Sequence, residues 1–285
     1  MNQFDLNPIK YNFLGEERSF EEADAIVVPI SYSSTSSFLS SKDGAKEIIE
    51  ASTQIEHFDP EFKIPKFYTL NFIEQVVEPK RMQEVVFATV DEIFLRKKFP
   101  VVIGGEHSVA IASFKAAYKN ENAFPILFDA HADFRDEFEG SKFSHACTTK
   151  RIKEISSKVF VIGVRSLAKE ELNEKENIVL AKELRKNFEK RIKEVIEKID
   201  NDKVYISFDF DFIDPTFLPS VANPEPFGFS LEESIKAIDL LSKEKNVVGI
   251  DFCEFSPTLK QYSYIAAKFI TIATAKILEN KNSNQ

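Results

Sequence analysis

The chain has 285 residues, 43% of them hydrophobic, so a large buried core is available; Phe supplies 28 residues and Trp none. With 37 Lys plus Arg against 46 Asp plus Glu, the net charge is −9. That balance excludes the basic face a nucleic-acid binder needs and suits a small cationic partner.

The opening residues, MNQFDLNPIK, carry neither the basic nor the apolar segment of a secretory leader, and no run approaches about 18 consecutive apolar residues. A soluble, cytoplasmic protein is expected, with no nucleic acid and no membrane among its partners. Cys147 and Cys253 make neither a disulfide framework nor a zinc spacing and are read as reduced thiols.

Along the chain, short apolar runs rich in Val, Ile and Phe alternate with charged segments of helical period. Strands are expected at residues 25–30, 100–103, 125–128, 159–164, 204–208 and 247–252. Helices are expected at 44–57, 80–98, 108–119, 182–199, 231–242 and 262–278. Runs this apolar suit strands buried on both faces, and their alternation with helices builds a parallel sheet. The expected fold is α/β: a three-layer α/β/α sandwich with a central, mainly parallel sheet. One domain spans residues 1–285, with a frayed polar tail over about 279–285. The Ser-rich stretch 31–41 lies between a strand and a helix, where such folds place binding residues.

Ligands collect beyond the carboxyl ends of strands in open α/β sheets, and the unusual polar clusters of this chain fall there. Gly104-Gly105-Glu106-His107-Ser108 follows the second strand. Asp129-Ala-His131-Ala-Asp133 follows the third, Asp209-Phe-Asp211 the fifth and Glu254 the sixth. Residues two apart in extended chain point to one side, so Asp129, His131 and Asp133 can converge, as can Asp209 and Asp211. Carboxylates crowded in this way raise one another's pKa, and a bound cation keeps them charged. Four carboxylates with His107 and His131, and no thiolate, suit two Mn²⁺ or similar divalent ions; a water shared between such ions becomes hydroxide near neutral pH. The chemistry this points to is hydrolysis.

Bland readings stand beside these. A lone Asp-x-Asp is an ordinary turn or helix-cap feature, and Gly-Gly alone is only a tight turn into a helix. His57 ends a helical pattern and reads as a surface or capping residue. His145, twelve residues beyond Asp133, is a candidate proton shuttle or substrate contact, with a structural role as the alternative. Cys147 close to it suggests a thiol nucleophile only by adjacency. A carboxylate at Glu254 suits two parallel hydrogen bonds from a planar guanidinium, although a lone loop acid is the simpler reading.

Taken together, GGEHS, DAHADFRDEFEG with FSHACTTKR, SFDFDFIDP with NPEP, and GIDFCEFSP resemble the ureohydrolases, the arginase and agmatinase family, in order and spacing from about Ala23 to Leu278. The central segment is most similar to the agmatinase branch. The resemblance implies one manganese on His107, Asp129, Asp133 and Asp209, and a second on His131, Asp129, Asp209 and Asp211. It also implies that Asp133 orients hydroxide and passes its proton to the leaving amine, that His145 assists proton transfer or substrate binding, and that Glu254 binds the guanidinium. The product pair would be urea and an amine, putrescine if the substrate is agmatine, and the protein would be a homo-oligomer, a trimer or hexamer.

The chain departs from the family pattern at Ser220-Val221-Ala222-Asn223, at Phe227 in place of a glycine, and at Thr258-Leu259-Lys260. Two alternatives follow: an aminopropylagmatine ureohydrolase, and a catalytically silent member that binds a polyamine or a partner protein.

Overall fold

A computed structural model of the chain describes residues 12–36, 39–73 and 78–283. The leader reading of the first residues, two positions of the 31–41 loop and the last two residues of the tail lie outside that range.

Among the described residues, eight parallel strands form one sheet in the order β2-β1-β3-β8-β7-β4-β5-β6. They are β1 (Ala25–Pro29), β2 (Phe67–Thr69), β3 (Phe99–Ile103), β4 (Phe124–Phe128), β5 (Phe160–Val164), β6 (Ile178–Leu180), β7 (Lys203–Asp209) and β8 (Asn246–Cys253). The helices are α1 (Gly44–Ser52), α2 (Pro79–Leu95), α3 (Val109–Glu121), α4 (Thr148–Ser156), α5 (Ala181–Leu184), α6 (Phe188–Ile196), α7 (Leu231–Glu244) and α8 (Lys260–Ser283). One layer packs α2, α3 and α4 together; the other packs α1, α8, α7, α6 and α5. Each of the two layers has its own apolar cluster against the sheet.

Several boundaries differ from the sequence reading. The helix expected at 44–57 stops at Ser52, and the one expected at 182–199 breaks into α5 and α6 around Asn187, whose side chain accepts from Lys190 N–H and starts α6 afresh. The two outer strands, β2 and β6, span three residues each, too short to show a period. Helix α4 was missed because its mean character is polar. The expected frayed tail is helical to Ser283, where Glu279 accepts the Lys63 backbone N–H at 2.8 Å and anchors the last turns.

Sharp starts come from local chemistry. Pro79 begins α2 behind Glu78, whose carboxylate accepts from Lys80 and Arg81 N–H. Ser230 and Glu233 make a reciprocal cap on α7.

The core behind the site is made of rings. Along β7 and the 3₁₀ turn after it (Phe210–Phe212), Phe208, Phe210 and Phe212 enter the layer of α7 and α8, whereas Ser207, Asp209 and Asp211 serve the opposite, polar purpose. Phe208 meets Phe269 at 4.9 Å and Phe212 stacks on Phe229 at 4.6 Å. Each such ring contributes about 1.5–3 kcal/mol by burial, so apolar packing holds the strand end that carries the two acids.

Candidate metal centre

The central strands β3, β8, β7 and β4 are neighbours in the sheet, and their carboxyl ends deliver the acidic and imidazole groups to one rim. Asp129 directly follows β4, Asp209 closes β7, Asp211 lies in the 3₁₀ turn beyond it and Glu254 directly follows β8. A cavity of about 250 Å³ opens there, lined by His107, His131, Asp133, His145, Asp209, Asp211 and Glu254. Asp129 is fully buried beneath it. All eight residues singled out from the sequence thus meet at one place.

Two groups share Asp129. On one side His107 Nδ1 lies 2.9 Å from Asp129 Oδ2, 3.2 Å from Asp133 Oδ2 and 3.4 Å from Asp209 Oδ2. On the other, His131 Nδ1 lies 2.7 Å from Asp211 Oδ2 and 3.8 Å from Asp129 Oδ1. Backbone amides fix the remaining oxygens: His131 N–H donates to Asp129 Oδ1 at 2.6 Å, Ala130 N–H to Asp211 Oδ1 at 2.9 Å and Asp211 N–H to Asp209 Oδ1 at 2.8 Å. One donor atom each from His107, Asp129 and Asp133 lie within 4.8 Å of one another, as do those of Asp129, His131 and Asp211. Asp133 and Glu254 hold left-handed backbone, φ 54° and 63°, a strain that clusters at functional sites.

The electrostatics ask for a cation. Burial, then Asp211 and Asp133, push the Asp129 carboxyl up to about 7. Burial, then Asp211 and Asp129, raise Asp209 well above the usual carboxylate range. Burial followed by Glu106 takes Glu254 up to about 8. For Asp211, burial acts upward but the His131 imidazole outweighs it and brings the carboxyl down to about 2. Burial works against protonating both histidines, yet Asp129 beside His107 and Asp211 beside His131 hold them well above the ordinary value. A rim in this state retains protons that a divalent ion would displace.

His107 Nδ1 and Asp129 Oδ2 are 2.9 Å apart, but their alignment is not that of a hydrogen bond, and both are buried with no hydrogen-bonding partner among the described residues. Two such atoms side by side suit two ligands of one ion. The mixed oxygen and nitrogen donor set fits divalent manganese and its neighbours, so the residues present fit the group.

Several functional contacts were not read from the sequence. Ser207 Oγ donates to Asp251 Oδ1 at 2.6 Å and so accepts from His107 Nε2–H at 2.9 Å, which directs Nδ1 at the carboxylates. The signal was Asp251, an acid inside an otherwise apolar strand. On the other side of the rim His131 Nε2 lies 3.6 Å from Glu225 Oε1. Arg165 holds that loop by donating to the carbonyls of Asp211, Glu225 and Pro226 at 2.5, 3.0 and 3.1 Å.

The other candidates resolve differently. Burial, then Asp133, pushes the Cys147 thiol up to about 11, away from the thiolate that a nucleophile needs near neutral pH. Cys253 is also a free, buried thiol. His57 is exposed, with Nδ1 3.1 Å from Glu16. The departures from the family pattern touch one another: Ser220 and Thr258 share a hydrogen bond at 2.6 Å, and Ser256 N–H donates to Ser220 O at 2.9 Å. Phe227 keeps φ at 65°, backbone a glycine adopts freely; the residue is 73% exposed and its carbonyl is held by Arg185.

Residues 23–278 match the model of the arginase family. The chain belongs to this family. Among its relatives, the N(1)-aminopropylagmatine ureohydrolase of Synechocystis is 30% identical over 273 residues, covering 90% of this chain and 89% of that protein. The agmatinase of Halalkalibacterium halodurans is 30% identical over 275 residues, covering 90% and 93%. Among solved structures, the agmatine ureohydrolase of Thermoplasma volcanium superposes with a TM-score of 0.87 at 29% identity, over 99% of this chain and 98% of that one. The all-parallel sheet between two helical layers is the fold of this arginase-family member.

Proposed function

We propose that this arginase-family chain is a binuclear manganese ureohydrolase that cleaves agmatine to putrescine and urea. One ion would be held by His107, Asp129, Asp133 and Asp209, and the other by His131, Asp129, Asp209 and Asp211. Bound there, the ions supply hydroxide near neutral pH.

The chain's own groups do the rest. Glu254 receives the guanidinium: its Oε1 accepts the His107 backbone N–H at 2.6 Å, and its Oε2 is buried with no partner among the described residues. A planar cation fills that vacancy with charge-assisted N–H···O bonds and keeps the carboxylate ionised. Asp133 takes a proton at its carboxylate and passes it to the departing nitrogen. Attack on the guanidinium carbon forms the carbon–oxygen bond first; the proton on that oxygen is the one Asp133 hands to the departing nitrogen, and the carbon–nitrogen bond to the alkyl chain then breaks to release urea and the amine. His145, half-buried in the cavity wall, carries protons between this site and solvent.

The observation that carries this reading is the convergence of two imidazoles and four carboxylates at one rim, in two groups that share Asp129. Relatives act on agmatine or on the longer aminopropylagmatine by name, so the deciding experiment measures urea from both, with Mn²⁺ and with other divalent ions. Faster release from agmatine supports the proposal. Faster release from the aminopropyl compound moves the substrate to the alternative, and no urea from any guanidine, with fewer than two ions bound per chain, leaves the silent binding protein. The same reading makes the enzyme a cytoplasmic homo-oligomer, to be checked by sedimentation.

A further inference from the structure

Glu106 is a buried acid at this rim for which the chemistry above has no use. Its residue is 0% exposed and forms no ion pair among the described residues. Hydroxyl and amide donors meet its carboxyl oxygens instead. Thr35 N–H donates to Oε2 at 2.7 Å, Thr35 Oγ–H to Oε1 at 2.5 Å, and Ser108 Oγ–H to Oε1 at 2.6 Å. The two loops involved are closed on each other by backbone as well. Glu106 N–H donates to Tyr32 O at 2.9 Å, and a Cβ at Gly105 would lie 1.7 Å from that same oxygen. Thr35 is therefore fixed against Glu106 through both its amide and its hydroxyl.

A hydroxyl has one proton, and that of Thr35 is committed to Glu106, so its oxygen can only accept. What faces it is His145, with the backbone N–H at 3.1 Å and ring Nδ1 at 3.4 Å. Ser144 Oγ lies at the same 3.4 Å from Nδ1 and its rotatable hydroxyl can accept there too, so the obligate acceptor Thr35 decides the balance toward the tautomer protonated at Nδ1, with the lone pair on Nε2. Phe138 meets the ring edge-on at 5.8 Å and limits its rotation.

We propose that Glu106, acting through Thr35, is the positioning residue of His145, selecting the tautomer whose Nε2 exchanges protons with the guanidine site. The proposal rests on the reading of His145 as a proton carrier. Its structural half, the tautomer, is open to measurement without any substrate.

The ring signals are read on the full-length protein labelled with ¹⁵N-histidine and loaded with diamagnetic Zn²⁺, and urea release on the Mn²⁺-loaded protein. The chain has four histidines, and the ring nitrogen shifts report each tautomer. In Thr35→Val the His145 signals should move away from the Nδ1–H form while the other three histidines stay. Urea release should lose roughly ten- to hundredfold in kcat, the cost of a misplaced proton carrier, with KM and metal content changed less than about twofold. Thr35→Ser, which keeps the hydroxyl, should restore both readings. Unchanged His145 signals in Thr35→Val, or an unchanged kcat, would overturn the proposal. So would a Thr35→Ser variant no better than Thr35→Val, since shape rather than the hydroxyl would then matter. If the wild type released no urea, the proposed function would fail while the ring signals still decided the tautomer.

Discussion

The two ends of the sheet make opposite use of charge. At the amino ends of the strands a cavity of about 580 Å³ is lined by Lys63, Lys97, Lys98, Lys203 and Lys281 with Asp24, Glu121 and Glu279. At the carboxyl ends the cavity is less than half as large, about 250 Å³. In the larger cavity the acids are already answered: Glu121 pairs with Lys203 at 2.6 Å, Glu279 accepts Lys63 N–H at 2.8 Å and Asp24 accepts Lys66 N–H at 2.9 Å. In the smaller one, Asp129 Oδ2 and Glu254 Oε2 are buried with no hydrogen-bond partner among the described residues. Size does not mark the site. Uncompensated burial does, because a desolvated charge without a partner costs several kcal/mol, and a fold retains it where a ligand answers it.

The most severe test of that contrast is Asp129→Asn, which removes the carboxylate common to both groups. Urea release should fall by roughly a thousandfold or more, on the scale of losing an electrostatic partner of the transition state, and metal analysis should show lost ions with an unchanged circular dichroism spectrum. Wild-type turnover would break the comparison. Next, Glu254→Gln should lower kcat/KM by roughly ten- to a hundredfold, matching a charged hydrogen bond worth about 1.5–3 kcal/mol, with metal content retained.

Metal removal should invert the pH response of stability. Without ions, Asp129 at about 7 and Glu254 at about 8 sit above their unfolded values. Their contribution is then complete below the ordinary carboxylate range and is lost as pH rises through 7 and 8. Asp211, held down at about 2, acts the other way and is lost only in strong acid. Thermal melts of chelated protein should therefore drop between about pH 4 and 8, and excess Mn²⁺ should abolish that drop. A flat chelated profile would mean the rim is not uncompensated. The smallest effect is expected at the other end of the sheet. Burial lowers the pKa of Lys281 there, so Lys281→Met should leave urea release unchanged and shift stability by no more than about 0.5 kcal/mol.

Much of the site was legible because it obeys short-range rules. Asp129, His131 and Asp133, like Asp209 and Asp211, are spaced to converge at the end of a strand, and strands this apolar announce themselves. Thr35, Ser207 and Arg165 carried no comparable signal, since a hydroxyl or an arginine looks the same whether or not it touches a distant residue. Thr35 meets His145 across 110 positions and Arg165 reaches Glu225 across 60. Short edge strands and the broken helix around Asn187 escaped for a related reason: their length is set by neighbours, not by their own period.

By itself, the sequence determined the alternation of strands and helices, the parallel sheet and the acids at its rim, because period and local spacing are properties of consecutive residues. Only the tertiary structure decided which buried atoms are left without partners and which hydroxyls orient the imidazoles. Those facts depend on segments brought together by folding, and on a desolvation that no stretch of chain experiences alone.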